Sequence, residues 1–140
     1  MSAAVTVHTV NNAQGEKSSF KTQCTGTYFY KNGMVIVQYM DVLYGDTEQE
    51  VKTSVKLFQN TVTLTRSGAY ESRIVLSVGE RRTCAYSTPY GTFVMGFTGE
   101  KLHHRFTEHG GELFVRYRVD TENSPLQTNE ITLKVRKCDP

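Results

Sequence analysis

Alanine and leucine, the strongest helix formers, are scarce in this chain. There are five Ala and eight Leu in 140 residues, against eighteen Thr and fifteen Val. Thr and Val are stiff at χ1 and fit a pleated surface, so this ratio argues against helices and for an all-β protein. No apolar run exceeds a few residues, which excludes a membrane-spanning helix of about 20 residues. No self-similarity at a period of 20 to 50 residues is visible, which sets aside propellers and solenoids. Charge of one sign is also lacking. The net charge is +2, too mild to imply nucleic acid by itself.

Cysteine is sparse and odd in number. Cys24, Cys84 and Cys138 include no pair at metal-binding spacing. The N-terminal residues lack the basic and apolar stretches of a secretory signal, and no Asn-x-Ser/Thr sequon occurs. These features point to a reducing, cytoplasmic setting with free thiols. There is no Gly-x-Ser-x-Gly elbow and no phosphate-binding glycine loop, so neither a serine hydrolase nor a nucleotide-binding P-loop is supported.

What is present is alternation. Residues 1–140 read as a single domain, long enough to bury a core without staples. Lys17 to Lys31 forms a long strand pattern with Phe20, Thr22, Cys24, Gly26, Tyr28 and Tyr30 on one face. Gly26 inside it signals a bulge or a sharp bend, as a barrel corner requires. Asn32-Gly33 is a strong hairpin signal. Val51 to Phe58, Thr61 to Arg66, Ser72 to Val78, Glu112 to Asp120 and Asn129 to Arg136 all alternate. Their inward sets include Val55 and Leu57; Val62 and Leu64; Ile74, Leu76 and Val78; Val115 and Tyr117; and Leu133 and Val135. Met34 to Leu43 and Thr92 to Phe97 are apolar on both faces. Lys101 to Glu108 is ambiguous and admits a short helix. About ten strands with turns every 8–12 residues and short links predict an antiparallel up-and-down β-barrel of eight to ten strands.

The segments Thr25-Gly26-Thr27-Tyr28, Val51 to Lys56, Val62 to Gly68, Thr88-Pro89-Tyr90-Gly91-Thr92 and Gly111-Glu112-Leu113 resemble the YwiB-like family of small bacterial proteins of unknown function. The resemblance covers essentially the whole chain. It implies a calycin-like barrel, similar in shape to lipocalins, and brings no activity, cofactor or catalytic residue. Shared fold is not shared function.

Arg66 has the parity of Val62 and Leu64, so a regular strand points it inward near one end of the barrel. A buried guanidinium must be paired or hydrogen-bonded. It is a structural Arg, an anchor for a carboxylate or phosphate, or, where the strand end is irregular, a solvated side chain. Tyr28, Tyr39, Tyr86 and Tyr90 with Thr92 complete the candidate ligand-binding set, their bland alternative being aromatic core filling. The Pro89–Gly91 turn is the segment that would present Tyr90 and Thr92 at a mouth. His103 and His104 face opposite ways in a strand and no acidic residue completes a ligand set, so no metal and no cofactor are expected.

Residues 66–105 carry six basic groups, Arg66, Arg73, Arg81, Arg82, Lys101 and Arg105, against Glu71, Glu80 and Glu100. An RNA-binding reading of this stretch is weaker than that of an ordinary solvated face. The leading expectation is a barrel that binds a small, partly apolar anion. The alternative is a homodimeric or protein-interaction module, suggested by the strands apolar on both faces. An enzyme using a Tyr or His at the barrel mouth ranks below both, and no membrane partner is expected.

Overall fold

The computed structural model describes residues 2–13, 15–43, 49–68, 71–88, 90–121 and 124–138; at 41–43, 49–50, 86–88, 93 and 124–126 it describes the backbone alone. Ten strands follow in order: β1 (Ser2–Ala13), β2 (Glu16–Lys31), β3 (Met34–Leu43), β4 (Gln49–Phe58), β5 (Thr61–Gly68), β6 (Ser72–Ser77), β7 (Arg81–Thr88), β8 (Gly91–Thr107), β9 (Gly110–Thr121) and β10 (Ser124–Lys137). They form one antiparallel sheet in the order β6-β5-β4-β3-β2-β1-β10-β9-β8-β7. The expected up-and-down barrel is therefore what forms, at the upper end of the expected strand count. Among the described residues there is no helix.

The hairpins follow from local chemistry. Asn32 and Gly33 adopt φ of 53° and 78°, and Gln59 and Asn60 adopt 50° and 60°. Two successive positive φ values give a turn whose twist matches the flanking strands. Ten residues named inward from alternation are buried: Val55, Leu57, Val62, Leu64, Ile74, Leu76, Val115, Tyr117, Leu133 and Val135. Val78, expected inward with Ile74 and Leu76, is instead 54% exposed, because β6 ends at Ser77 and the ladder that would hold its alternation ends there too. They form one core together with Ala3, Val5, Val7, Tyr28, Val35, Val37, Tyr39, Phe97, Leu113, Val119 and Ile131.

Lys101 to Glu108 is not helical. β8 continues through it to Thr107. The register against β9 shifts between Gly99 and Lys101. Such a bulge moves the side-chain alternation by one residue. Phe97 is buried before it, and Leu102 and Phe106 pack on the core after it. No single period spans both halves, which is why the stretch does not read as one strand.

The barrel wall is interrupted twice. At the seam, β6 and β7 do not pair along their length. Val78 makes one parallel bridge to Gly99, and the Gly79 amide donates to the Gly99 carbonyl at 2.9 Å. The second interruption lies between β2 and β3. Their pairing runs only from Lys31↔Met34 to Thr27↔Gln38. Beyond that, β2 continues against β1 as far as Glu16, and β3 continues against β4 as far as Leu43. Gly26 stands where the two strands part. A Cβ there would strike the Gln38 carbonyl. The bend expected at Gly26 is thus the point where the wall opens.

Candidate functional site

One end of the barrel is closed by side chains. The Tyr28 hydroxyl donates to the Thr107 carbonyl at 2.5 Å, and its ring stacks on Phe106 with centroids 6.2 Å apart. Burial, with repulsion from Tyr30 second, pushes the Tyr28 hydroxyl up to about 12. Nearby, a ring nitrogen of His104 lies 3.0 Å from the side-chain oxygen of Asn60.

Toward the other end the interior is hollow. A cavity of about 600 Å³ reaches from the apolar floor to the split between β2 and β3. Val7, Val55, Val62, Leu64, Leu113 and Leu133 make its apolar wall; Phe20, Lys21, Thr22 and Tyr39 flank the split. Phe20 is 64% exposed beside the split.

Two cross-strand rows of polar residues meet at this cavity, which Tyr39 and Arg66 of one row and Asn11, Asn129 and Tyr117 of the other line. On one wall Tyr39, Thr53, Arg66 and Ser72 lie directly opposite one another on β3, β4, β5 and β6. On the other wall Asn11, Asn129 and Tyr117 align on β1, β10 and β9. The rows face each other. Burial raises the Tyr117 hydroxyl above its usual range, opposed by a hydrogen bond with Asn129 and by the positive charge of Arg66. The Gln127 amide donates to the Asn129 side-chain oxygen at 3.1 Å, which fixes that amide. Thr53 is fully buried. Ser72 is 7% exposed, and its Oγ has no hydrogen-bond partner. Among the described residues lining the cavity are two cations, Arg66 and Lys21, and no carboxylate.

Of the residues singled out in the sequence, Arg66 and Tyr39 line this cavity. Arg66 is partly buried, points inward and stands near the end of β5, as its parity predicts. Tyr28 is buried at the closed end instead, with its hydroxyl committed to Thr107. Tyr90 and Thr92 do not reach the cavity. Tyr90 is 93% exposed and Thr92 is exposed. The reason lies in strand length: β8 pairs with β9 only from Gly96 onward, so the tip of the β7–β8 hairpin has no further strand beside it. The side chain of Tyr86 lies outside the described residues, as does Pro89 of the same turn. Ser72, Asn129 and Asn11 were not foreseen. Ser72 and Asn129 carry a signal nonetheless, since they share the parity of Ile74 and Ile131 respectively.

Among the described residues no His, Cys, Asp and Glu cluster suits a metal. The basic middle of the chain does not gather into one patch either. Arg66 faces the cavity, Arg81 pairs with Asp120 at 2.6 Å, and Arg82 pairs with Glu80 at 3.0 Å.

Residues 5–133 match the model of a family described as a domain of unknown function, DUF1934. The chain belongs to that family. Its fold is similar to the crystal structure of the ywiB protein from Bacillus subtilis, with a TM-score of 0.84, 20% identity, and coverage of 99% of this chain and 92% of that one. The YwiB-like resemblance seen in the sequence is thereby borne out, and at this identity the likeness speaks for the fold alone. No curated protein matches the chain.

Proposed function

We propose that this DUF1934 protein binds one small, partly apolar anion inside its barrel. The observation that carries the reading is the composition of the cavity: an apolar floor, polar rows above it, two cations and, among the described lining residues, no carboxylate. Its volume of about 600 Å³ falls within the range of small-molecule sites. The three cysteines are free thiols, in keeping with a cytoplasmic site of action.

Native mass spectrometry of the gently purified chain, with a thermal-shift screen of metabolite anions, tests this. A bound mass or a stabilising anion is expected. An apo mass with no shift across the screen refutes it. Arg66→Ala then assigns the residue: an anchor loses the ligand and keeps the fold, whereas a structural Arg costs roughly 3–5 kcal/mol by stranding its partner.

A second reading, self-association, rests on a different observation. From Thr83 to Gly99 no residue carries a charge, and Val94 on that hairpin is 56% exposed. Strand edges are normally blunted by charges. Light scattering across a concentration series should show a dimer if this reading holds, and a constant monomer if it does not.

A further inference from the structure

Resting on the self-association reading above, we infer that a second copy of this chain docks along the outer edge of β7. The two β7 strands run antiparallel about a two-fold axis at Ala85, so that two ten-stranded sheets become one.

The edge is set by the fold. β7 is the last strand of the sheet and pairs on one side with β8. On its other side β6 is bridged only at the seam, where Ser77 meets Glu80 just before β7 begins. β8 pairs with β9 only from Gly96 onward, and Gly96 faces Thr83 across the hairpin. Beyond that point the hairpin is a two-stranded ribbon. Among the described residues no third strand lies beside Thr83 to Thr88 on β7 or beside Thr92 to Met95 on β8. An isolated two-stranded ribbon is marginal in water, and a third strand is what stabilises it. Alternate residues of an edge strand aim both amide and carbonyl outward. Thr83 to Thr88 therefore offers about three of each to an incoming strand.

The identity of that strand follows from charge. Edges kept solitary carry lysine, proline or other blocking residues. Thr83 to Thr88 carries no charge and no proline, and the chain stays uncharged as far as Gly99. A strongly acidic or basic partner finds no counter-charge on such an edge, whereas a second copy meets no repulsion. A two-fold axis perpendicular to the sheet sets one residue opposite its own copy. Ala85 is small and exposed and suits that place. Thr83 then stands opposite Ser87 of the second copy, and Cys84 opposite its Tyr86. Arg82 falls opposite Thr88, and Arg81 lies beyond the paired stretch. These two cations are engaged by Glu80 and Asp120 within their own chain. No charge meets a like charge across the axis. Ala85 lies directly across from Val94, which is 56% exposed, so joining two copies doubles this pair into one apolar strip. A two-fold contact occupies the edge in both copies and closes at two, whereas a head-to-tail contact would continue into fibres.

The test is sedimentation velocity of the full chain over a concentration series. Wild type, Ala85→Lys, Ala85→Glu and Thr65→Lys are compared; Thr65 is an exposed residue of β5, far from this edge. Wild type should pass from monomer to dimer. Ala85→Lys and Ala85→Glu should each dimerise on the order of tenfold more weakly, because like charges then stand about 5 Å apart at the axis. Mixed in equal amounts, the two variants should recover a heterodimer, which also shows that both keep the hairpin. Thr65→Lys should dimerise as wild type does. In wild type, amide exchange from Thr83 to Thr88 should slow as concentration rises. A wild type that stays monomeric overturns both this inference and self-association. A dimer that Ala85→Lys leaves intact, or an equal weakening by Thr65→Lys, overturns the β7 edge and leaves self-association standing. Species that grow past the dimer, or a mixture that forms no heterodimer, overturn the two-fold register.

Discussion

The seam of the barrel hangs on Gly99, and replacing it with alanine tests whether that latch carries weight. A Cβ on Gly99 would lie 2.6 Å from the Ser77 carbonyl oxygen, 2.8 Å from its carbon and 3.0 Å from the Val78 nitrogen. All three are backbone atoms, so no side chain can swing aside. The φ of Gly99 lies outside the left-handed range, so Ala meets no torsional obstacle of its own there. In the absence of contacts, Gly→Ala at such a torsion stabilises by about 0.4–1 kcal/mol through the unfolded chain. The contacts reverse the sign. To admit the methyl group β6 must withdraw, which breaks the Gly79–Gly99 hydrogen bond and the Val78 bridge. Gly99 is buried, and a buried carbonyl left unpaired costs about 1–3 kcal/mol. The net expectation is a loss of about 2 kcal/mol, or roughly 5 °C in Tm for a domain of this size. Urea unfolding gives the free energy, and hydrogen exchange should show β6 and β7 opening first. Gly96→Ala is the companion variant. Its Cβ would fall on the Arg81 side chain, which can move, so it should cost less than Gly99→Ala. A Gly99→Ala protein as stable as wild type would refute the latch.

Leu57→Ala and Val115→Ala remove side chains that are 3% and 2% exposed; by chemical denaturation Leu57→Ala should cost about 2–5 kcal/mol, and either variant costing well under 1 kcal/mol would contradict the packing described. Tyr28 and Tyr117 should both titrate late in an alkaline absorbance titration, and Tyr28→Phe should reduce the late amplitude by one tyrosine. The folded Tyr28 value of about 12 lies above the ordinary tyrosine value of 10.0, so the native state holds its proton longer than the unfolded chain. Stability is then fully present below about pH 10 and declines as pH rises toward about 12, a slope that Tyr28→Phe should reduce.

Period-two alternation was enough to place the core, because a barrel wall buries one face of each strand and a slip of one residue would invert it. The same logic turns Arg66 inward from its parity with Val62 and Leu64. It failed where the chain departs from regularity. The bulge at Gly99 reverses parity within β8, so Leu102 and Phe106 fall on the face that alternation from Phe97 denies them. Tyr90 and Thr92 were misplaced for a different reason. A rigid turn indicates where a hairpin bends, and only the length of the neighbouring strand β9 determines whether that tip overlies the cavity. The meeting of Arg66 with Tyr117 and Asn129 depends on the closure of the sheet, which brings β5 opposite β9 and β10. No local pattern encodes that meeting.

β1 lies between β2 and β10, while the free margins of the sheet belong to β6 and β7, which are consecutive in the chain. Ribosomal synthesis delivers β1 through β6 as a complete meander long before β10 exists. Throughout that interval β1 presents a bare row of amides and carbonyls along one side, with Val5 and Val7 on its inward face. Such an edge invites pairing with another nascent chain. The pairing that finally covers it, Ala3↔Lys137 through Ala13↔Gln127, joins opposite ends of the sequence and so bears the greatest loop-closure cost in the fold. A message truncated before β10 should therefore yield an aggregating product rather than a smaller soluble barrel. A circular permutant opened at Gly79, with the old ends linked, should fold faster than the natural order, because every strand would then pair with its neighbour in sequence.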